Sequence, residues 1–83
     1  MNDQELRNTL KVQRAIQNLT QAELGERAGV TRKSVNAIET GRMVPSVLLA
    51  LKLARALDVS VEALFMIGGT PKHTLVTTTG EDS

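Results

Sequence analysis

Hydrophobic positions along the first 67 residues recur at three- and four-residue spacings, which are typical of helices with one buried face. Polar cap residues and glycines separate these stretches. The pattern predicts five short helices. Their approximate ranges are 3–17, 21–28, 32–40, 47–57 and 61–65. Because no stretch in this part of the chain alternates polar and apolar residues, we expect a compact all-α domain over residues 1–67.

Residues that cap helices mark the predicted boundaries. Thr20 and Glu23 form a T-x-x-E capping box, which predicts the start of the second helix. Gly29 predicts its end, because glycine accepts a left-handed conformation without a Cβ clash. Hydroxyl residues also precede the third, fourth and fifth helices. These predicted N-caps are Thr31, Ser46 and Ser60.

The pattern changes after residue 67. Gly68, Gly69 and Pro71 interrupt it, and Thr74 to Thr79 is rich in β-branched residues. Residues 68–83 therefore read as a short C-terminal tail. Two alternatives stay open for this tail, a disordered segment or a strand added to a second chain.

Composition excludes several classes of function. The 83 residues include no cysteine, one histidine and one aromatic residue, so disulfides, thiolate metal sites and base-stacking platforms are excluded. The sequence offers neither a nucleophile–base pair nor a glycine-rich phosphate loop, and we expect no enzyme, metal or cofactor. No apolar run approaches 18 residues and no signal peptide is recognisable, so we expect a cytoplasmic protein that does not enter membranes.

Charge is concentrated in one segment. The net charge is +1, but residues 27–42 contain four basic side chains against one acidic side chain, Glu39, which gives +3 locally. A local basic patch on a near-neutral domain can bind phosphate groups.

The basic segment overlaps the most informative spacing in the chain. Between Thr20 and Gly41, two helices of about eight residues are joined by a short turn containing Gly29. This is the spacing of a helix-turn-helix, whose second helix places its first turn in the major groove of DNA. Ala28 is small where the two helices would approach closely. The predicted shared core is Ala22, Leu24, Val30, Val35 and Ile38.

The polar face of this second helix carries side chains suited to base edges. Arg32 and Lys33 can donate to guanine O6 and N7, and Asn36 can bond an adenine edge. Ala37 can contact a thymine methyl group, and Ser34 can reach a base or a phosphate.

Three further residues are candidates for the DNA backbone. Gln21 lies at the start of the preceding helix, where unpaired N–H groups and the helix dipole favour a phosphate oxygen. Thr31 is primarily a cap, with phosphate contact as a second role. Arg42 follows the recognition helix and can also contact the backbone.

Several blocks of sequence carry a resemblance to a known family. They are Leu19-Thr20-Gln21-Ala22-Glu23-Leu24, Ala28-Gly29-Val30-Thr31 and Val35-Asn36-Ala37-Ile38-Glu39-Thr40-Gly41. The pattern continues through Pro45-Ser46, Leu53-Ala54, Leu57 and Val59-Ser60-Val61. The chain resembles the lambda-repressor and Cro-like family, also called the Xre family. The resemblance implies a five-helix fold, binding of double-stranded operator DNA as a homodimer, and transcriptional regulation, with repression as the expected outcome.

The resemblance also implies a structural ion pair between Arg14 and Glu39. Gln13 departs from the family pattern, in which this position is often apolar. We expect Val12 and Ile16 to compensate through a slight rotation of the first helix.

Two alternatives concern partners. The apolar residues at 61 and 64–67 form either a dimer patch or the closure of the monomer core.

The same fold occurs in antitoxins, so the alternative function is a module that binds DNA and neutralises a toxin through its C-terminal tail.

Overall fold

The computed structural model describes residues 5–68, which form five helices and two short strands. In chain order these elements are β1 (Leu6–Asn8), α1 (Leu10–Ile16), α2 (Gln21–Ala28), α3 (Arg32–Glu39), α4 (Val47–Leu57), α5 (Val61–Leu64) and β2 (Phe65–Ile67). The predicted five-helix class is confirmed, with a two-stranded sheet as a minor addition. Apart from Gly68, the predicted tail and its role in binding a partner lie outside the described residues.

The predicted caps define where the helices begin. Thr20 and Glu23 form the reciprocal capping box at the start of α2. The hydroxyl of Thr31 accepts a hydrogen bond from the amide of Ser34, and the serines before α4 and α5 cap them in the same way. Gly29 ends α2 with φ at 74°, as its position predicted.

The start of the first helix was predicted wrongly. The spacing of Leu6 and Leu10 predicted a helix from residue 3, but Leu6–Asn8 form a strand and α1 begins at Leu10. Strand β1 pairs antiparallel with β2, with Leu6 opposite Ile67. The same pairing ends the last helix at Leu64, one residue before Phe65. Pairing with a strand about sixty residues later in the chain therefore prevails over the helix that the local spacing predicts for Leu6–Asn8.

The core lies between the inner faces of the helices. Its buried hydrophobic residues are Leu10, Leu19, Leu24, Ala28, Val35, Ile38, Leu53, Ala54, Leu57 and Leu64. Val30 is only partly buried, and Ala22 is exposed and does not join the predicted shared core. Val12 and Ile16 are also exposed, so the expected compensation for Gln13 does not occur. Leu10 alone anchors α1 as a fully buried side chain.

A glycine sets the closest approach between α2 and the turn that leads to α3. Gly25 is buried, and a Cβ atom at this position would lie 2.6 Å from the carbonyl oxygen of Val30. Ala28, the small residue predicted for a close approach, is buried as well. Gly25 leaves no room for a side chain here, and its lack of a Cβ atom permits the close approach of the two segments.

Within residues 5–68, no helix combines the length and the apolar character needed to cross a bilayer. The longest, α4, has 11 residues.

Candidate nucleic-acid interface

Helix α3 turns one face inward and the other outward. Val35 and Ile38 are buried in the core, which fixes the rotation of the helix about its axis. Arg32 and Lys33 are therefore exposed in the first turn, while Asn36 is half-buried one turn later. This is the face that the sequence predicted for contact with bases.

Two adjoining surface hollows flank this outward face. The first is lined by Gln21, Arg32, Lys33 and Asn36. The second is lined by Lys33, Ser34, Asn36, Ala37, Arg42 and Met43. Lys33 and Asn36 contribute to both, and no carboxylate of the described residues lines either one. The structure thus brings seven of the eight predicted contact residues to one continuous surface that is rich in hydrogen-bond donors.

The eighth predicted residue, Thr31, lies at the N-cap of α3 and lines neither hollow. Its Oγ1 accepts from the Ser34 amide at 3.0 Å, and the hydroxyls of Thr31 and Ser34 are also 3.0 Å apart. The Thr31 side chain therefore acts first as a structural cap that orients the first turn of the helix.

Asn36 and Arg42 are linked before any DNA is bound. The Arg42 Nη2 group donates to Asn36 Oδ1 at 2.9 Å, and Nε of the same guanidinium donates to Thr40 Oγ1 at 3.2 Å. Bidentate recognition of adenine uses both the oxygen and the nitrogen of an asparagine amide. The amide oxygen has two lone pairs, so the bond from Arg42 leaves one acceptor position and the Nδ2 donor of Asn36 for a base edge.

Gln21 connects the start of α2 to the end of α3. Its Nε2 donates to Glu39 Oε1 at 3.1 Å. The same carboxylate accepts from Arg14 on α1 through Nε at 2.6 Å and Nη2 at 3.1 Å. This network orients the Gln21 amide beside the first hollow and joins three helices. It also contains the ion pair that the family resemblance implied.

The ion pair shifts the pKa values of both partners. Hydrogen bonding to Glu39 raises the pKa of Arg14, although burial acts in the opposite direction. Burial alone raises the pKa of Glu39, but the hydrogen bonds from Arg14 and Gln21, together with nearby positive charge, bring it below its ordinary value. The pair is therefore ionised around neutral pH.

Two residues that support this surface were not predicted from the sequence. Asn8 accepts from the Leu10 amide and donates from Nδ2 to the carbonyl of Ile38, near the end of α3, both at 3.0 Å. The pair Asn8-Thr9 before Leu10 was a recognisable cap signal for α1. Gly25 is the second such residue, and its close contact depends on tertiary packing that no local signal reveals.

The apolar residues at 61 and 64–67 do not behave as a single patch. Leu64 is fully buried, and Val61 and Phe65 pack partly against the core. Met66 and Ile67 on β2 are exposed. Closure of the monomer core therefore accounts for Leu64, and the exposed apolar surface at this site is limited to the strand.

Comparison with known proteins places these features in a wider group. A family model described as helix-turn-helix matches residues 10–64. An uncharacterised HTH-type transcriptional regulator of Methanocaldococcus jannaschii is 43% identical over 61 residues, which cover 74% of this chain and 92% of that protein. One of Bacillus subtilis is 45% identical over 62 residues, covering 75% of this chain and 94% of the other.

Solved structures share the arrangement of helices. The restriction-modification controller protein C.AhdI from Aeromonas hydrophila aligns with a TM-score of 0.63 and 33% identity, over 65% of this chain and 82% of the other. A Bacteroides fragilis protein aligns with a TM-score of 0.66 over 74% of this chain and 98% of its own, and at 24% identity it supports the fold alone.

Proposed function

Because this chain belongs to the helix-turn-helix family of DNA-binding regulators of the lambda-repressor and Cro type, which is not a class of enzymes, we propose that α3 is its recognition helix and reads a specific operator. In this proposal Arg32 and Lys33 bond guanine edges, while Asn36, Ala37 and Ser34 extend the reading surface. Phosphates are contacted by Gln21 and Arg42, with Thr31 in a secondary role.

One observation carries this proposal. Seven of the eight predicted residues line two adjoining hollows around the outward face of α3, and the lining combines cations with side-chain amides. Guanidinium, ammonium and amide donors match the acceptors of the major groove and the phosphate oxygens beside it. The buried residues Val35 and Ile38 hold this face outward.

Selection of bound duplexes from a random DNA pool, followed by sequencing, tests the proposal. We expect an enriched inverted repeat whose half-sites are about one helical turn apart, since two copies would occupy successive major grooves. Failure to enrich any sequence would contradict specific recognition.

Substitutions then test the assignment of α3. Arg32→Ala and Lys33→Ala should each weaken binding to the selected site by about 1–3 kcal/mol and relax the preference for one base pair. Gln21→Ala should weaken binding to all sequences alike. Lys52→Ala is the matched control, because it removes an equal charge from α4, outside the two hollows. An equal loss of affinity for Lys52→Ala would indicate non-specific electrostatics instead of a reading surface.

The proposal includes repression by a dimer in the cytoplasm, where the protein would be associated with the nucleoid. A dimer bound across a promoter blocks other proteins from the same DNA. Contacts to about four to six phosphates by each copy would give a slope of log affinity against log salt of roughly −4 to −5 per copy. A promoter reporter carrying the selected site should lose expression when the protein is produced. Increased expression would identify an activator.

A further inference from the structure

Three positively charged side chains line a hollow between α2 and α4, apart from the proposed reading surface. The lining residues are Arg27 and Ala28 of α2 and Lys52, Arg55 and Ala56 of α4. We call this feature the α2–α4 hollow. It has a volume of about 490 Å³ and shares no lining residue with the two hollows beside α3. Ligand sites in proteins commonly occupy about 300–1,000 Å³, so this hollow has room for a small molecule.

The cations of the hollow come from two helices that pack together. Lys52 and Arg55 are three residues apart on α4, a spacing that places side chains on the same face of a helix. Arg27 lies in the last turn of α2, which contacts α4. The next residue, Ala28, is buried in the core, and its small side chain permits the end of α2 to lie close to α4. The sequence thus places three long cationic side chains around small residues.

The three cations have no acidic partners within residues 5–68. No carboxylate of this part of the chain lines the hollow, and its one ion pair at 4 Å or less joins Arg14 to Glu39. The acidic neighbours in sequence, Glu26 and Asp58, are exposed and do not line the hollow. The same residues carry nine basic and six acidic side chains, so three positive charges are in excess. Charges of one sign around a hollow strengthen the field there and attract anions.

We propose that the α2–α4 hollow binds a small anion with two or more phosphate groups, such as inorganic triphosphate or a nucleoside triphosphate. Phosphate offers oxygens in several directions, so cations from two helices can bond it at once. An arginine guanidinium donates in a fixed fork that matches phosphate, and a lysine ammonium adds a point charge. A single carboxylate is satisfied by one arginine and would leave the other two cations unpaired.

The position of the hollow favours a free anion over the backbone of bound DNA. Gln21, at the start of α2, lines the first hollow beside α3, whereas Arg27 lies six residues later, about 9 Å further along the helix axis. A bound anion therefore leaves α3 accessible. It neutralises the positive excess of the domain, however, and should weaken the attraction of every duplex alike. This last step rests on the proposed function, whereas the site itself does not.

Isothermal titration calorimetry of the full chain with inorganic triphosphate, at constant ionic strength, tests the site. We expect one triphosphate to bind per chain, and orthophosphate and citrate to bind about tenfold more weakly or worse. Arg27→Ala and Arg55→Ala should each raise the Kd of triphosphate about tenfold or more, because each removes a charge-assisted contact. Arg7→Ala is the matched control, since it removes the same exposed side chain from β1, outside the hollow. Far-ultraviolet circular dichroism and thermal unfolding verify that each variant is folded.

The amide chemical shifts of isotope-labelled protein locate the bound triphosphate. The changes should concentrate at Ala28 and Ala56, and Arg32→Ala, on the proposed reading surface, should leave the Kd nearly unchanged. Equal losses of affinity in Arg55→Ala, Arg32→Ala and Arg7→Ala would show attraction by overall charge and overturn the proposal. Equal affinity for citrate would overturn the phosphate class, and the absence of measurable triphosphate binding would overturn the site.

Binding to DNA separates the two sources of phosphate. Triphosphate should lower the affinity for a duplex in the wild-type chain more than in Arg55→Ala, at equal ionic strength. Shifts of the Ala28 and Ala56 amides on addition of a duplex alone would assign the hollow to the DNA backbone and overturn the proposal of a free anion.

The site and the proposed function can fail separately. A chain that binds triphosphate in the α2–α4 hollow but reads no specific sequence would leave the site standing and refute the proposed function. A chain that reads an operator but takes up no triphosphate would do the reverse.

Discussion

The guanidinium of Arg14 and the carboxylate of Glu39 join the first helix to the last residue of α3 through two hydrogen bonds, of 2.6 and 3.1 Å. Both side chains are largely inaccessible, with exposures of 15% and 6%. A third bond, from Gln21, brings the start of α2 to the same carboxylate. One acidic group thus connects the three helices that carry or support the proposed reading surface.

Replacement of Glu39 by glutamine should destabilise the protein by about 3 kcal/mol, because it leaves the Arg14 charge shielded from water and without its ionic partner. Urea denaturation followed by circular dichroism measures this change. Glu26→Gln, at an exposed position on α2, should change stability by less than about 0.5 kcal/mol. Similar effects of the two substitutions would show that the ion pair contributes little to the fold.

The ion pair should also give stability a specific dependence on pH. The pKa of Glu39 is below its ordinary value of 4.5 in the folded protein. Its contribution is therefore fully present above about pH 4.5 and is lost as the pH falls through the lower, folded-state pKa. The difference in unfolding free energy between wild type and Glu39→Gln should shrink in that range. A difference that is constant from pH 7 down to pH 3 would contradict this linkage.

Gly25→Ala should destabilise the protein by about 2–3 kcal/mol, although alanine is normally the better helix former. The added Cβ would lie 2.6 Å from the backbone oxygen of Val30, which cannot move without displacing the turn. Gly29→Ala is the useful comparison, because nothing lies within 4 Å of its added Cβ and only the positive φ opposes it. Gly29→Ala should lower the free energy of unfolding by about 1 kcal/mol. Thermal unfolding would refute this order if Gly25→Ala were neutral or stabilising.

Asn36 and Arg42 should have separable effects on DNA binding despite their hydrogen bond in the free protein. Asn36→Ala should reduce discrimination at one base pair by about 1–3 kcal/mol. Arg42→Ala should weaken binding to all sequences and make the salt slope shallower by about 0.9, since one phosphate contact is lost. Fluorescence anisotropy on the selected site and its single-base-pair variants, at several salt concentrations, measures both. Altered base preference in Arg42→Ala would place Arg42 in the reading surface instead.

Local signals were sufficient to predict most of the fold. The cap at Thr31 and the glycine at 29 act through their own backbone neighbours, so their positions could be inferred without tertiary information. The rotation of α3 followed from Val35 and Ile38, whose spacing defines one buried face. For this reason the outward position of Arg32 and Lys33 could be predicted as well.

Tertiary features account for the parts of the structure that could not be predicted from the sequence. Leu6 continues the helical spacing of Leu10, but its backbone pairs with Ile67 in a sheet that no local window contains. The close contact of Gly25 depends on the path of the following turn.

The pairing of β1 with β2 has a consequence for the protein as a module. Leu6 and Ile67 are register partners, so the chain enters and leaves the described domain at neighbouring points. Because its two ends lie side by side, the domain can be inserted between two residues of another protein with little distortion of the host. The same geometry permits circular permutation, in which a short linker joins the two strands and new ends are opened at an exposed turn between helices.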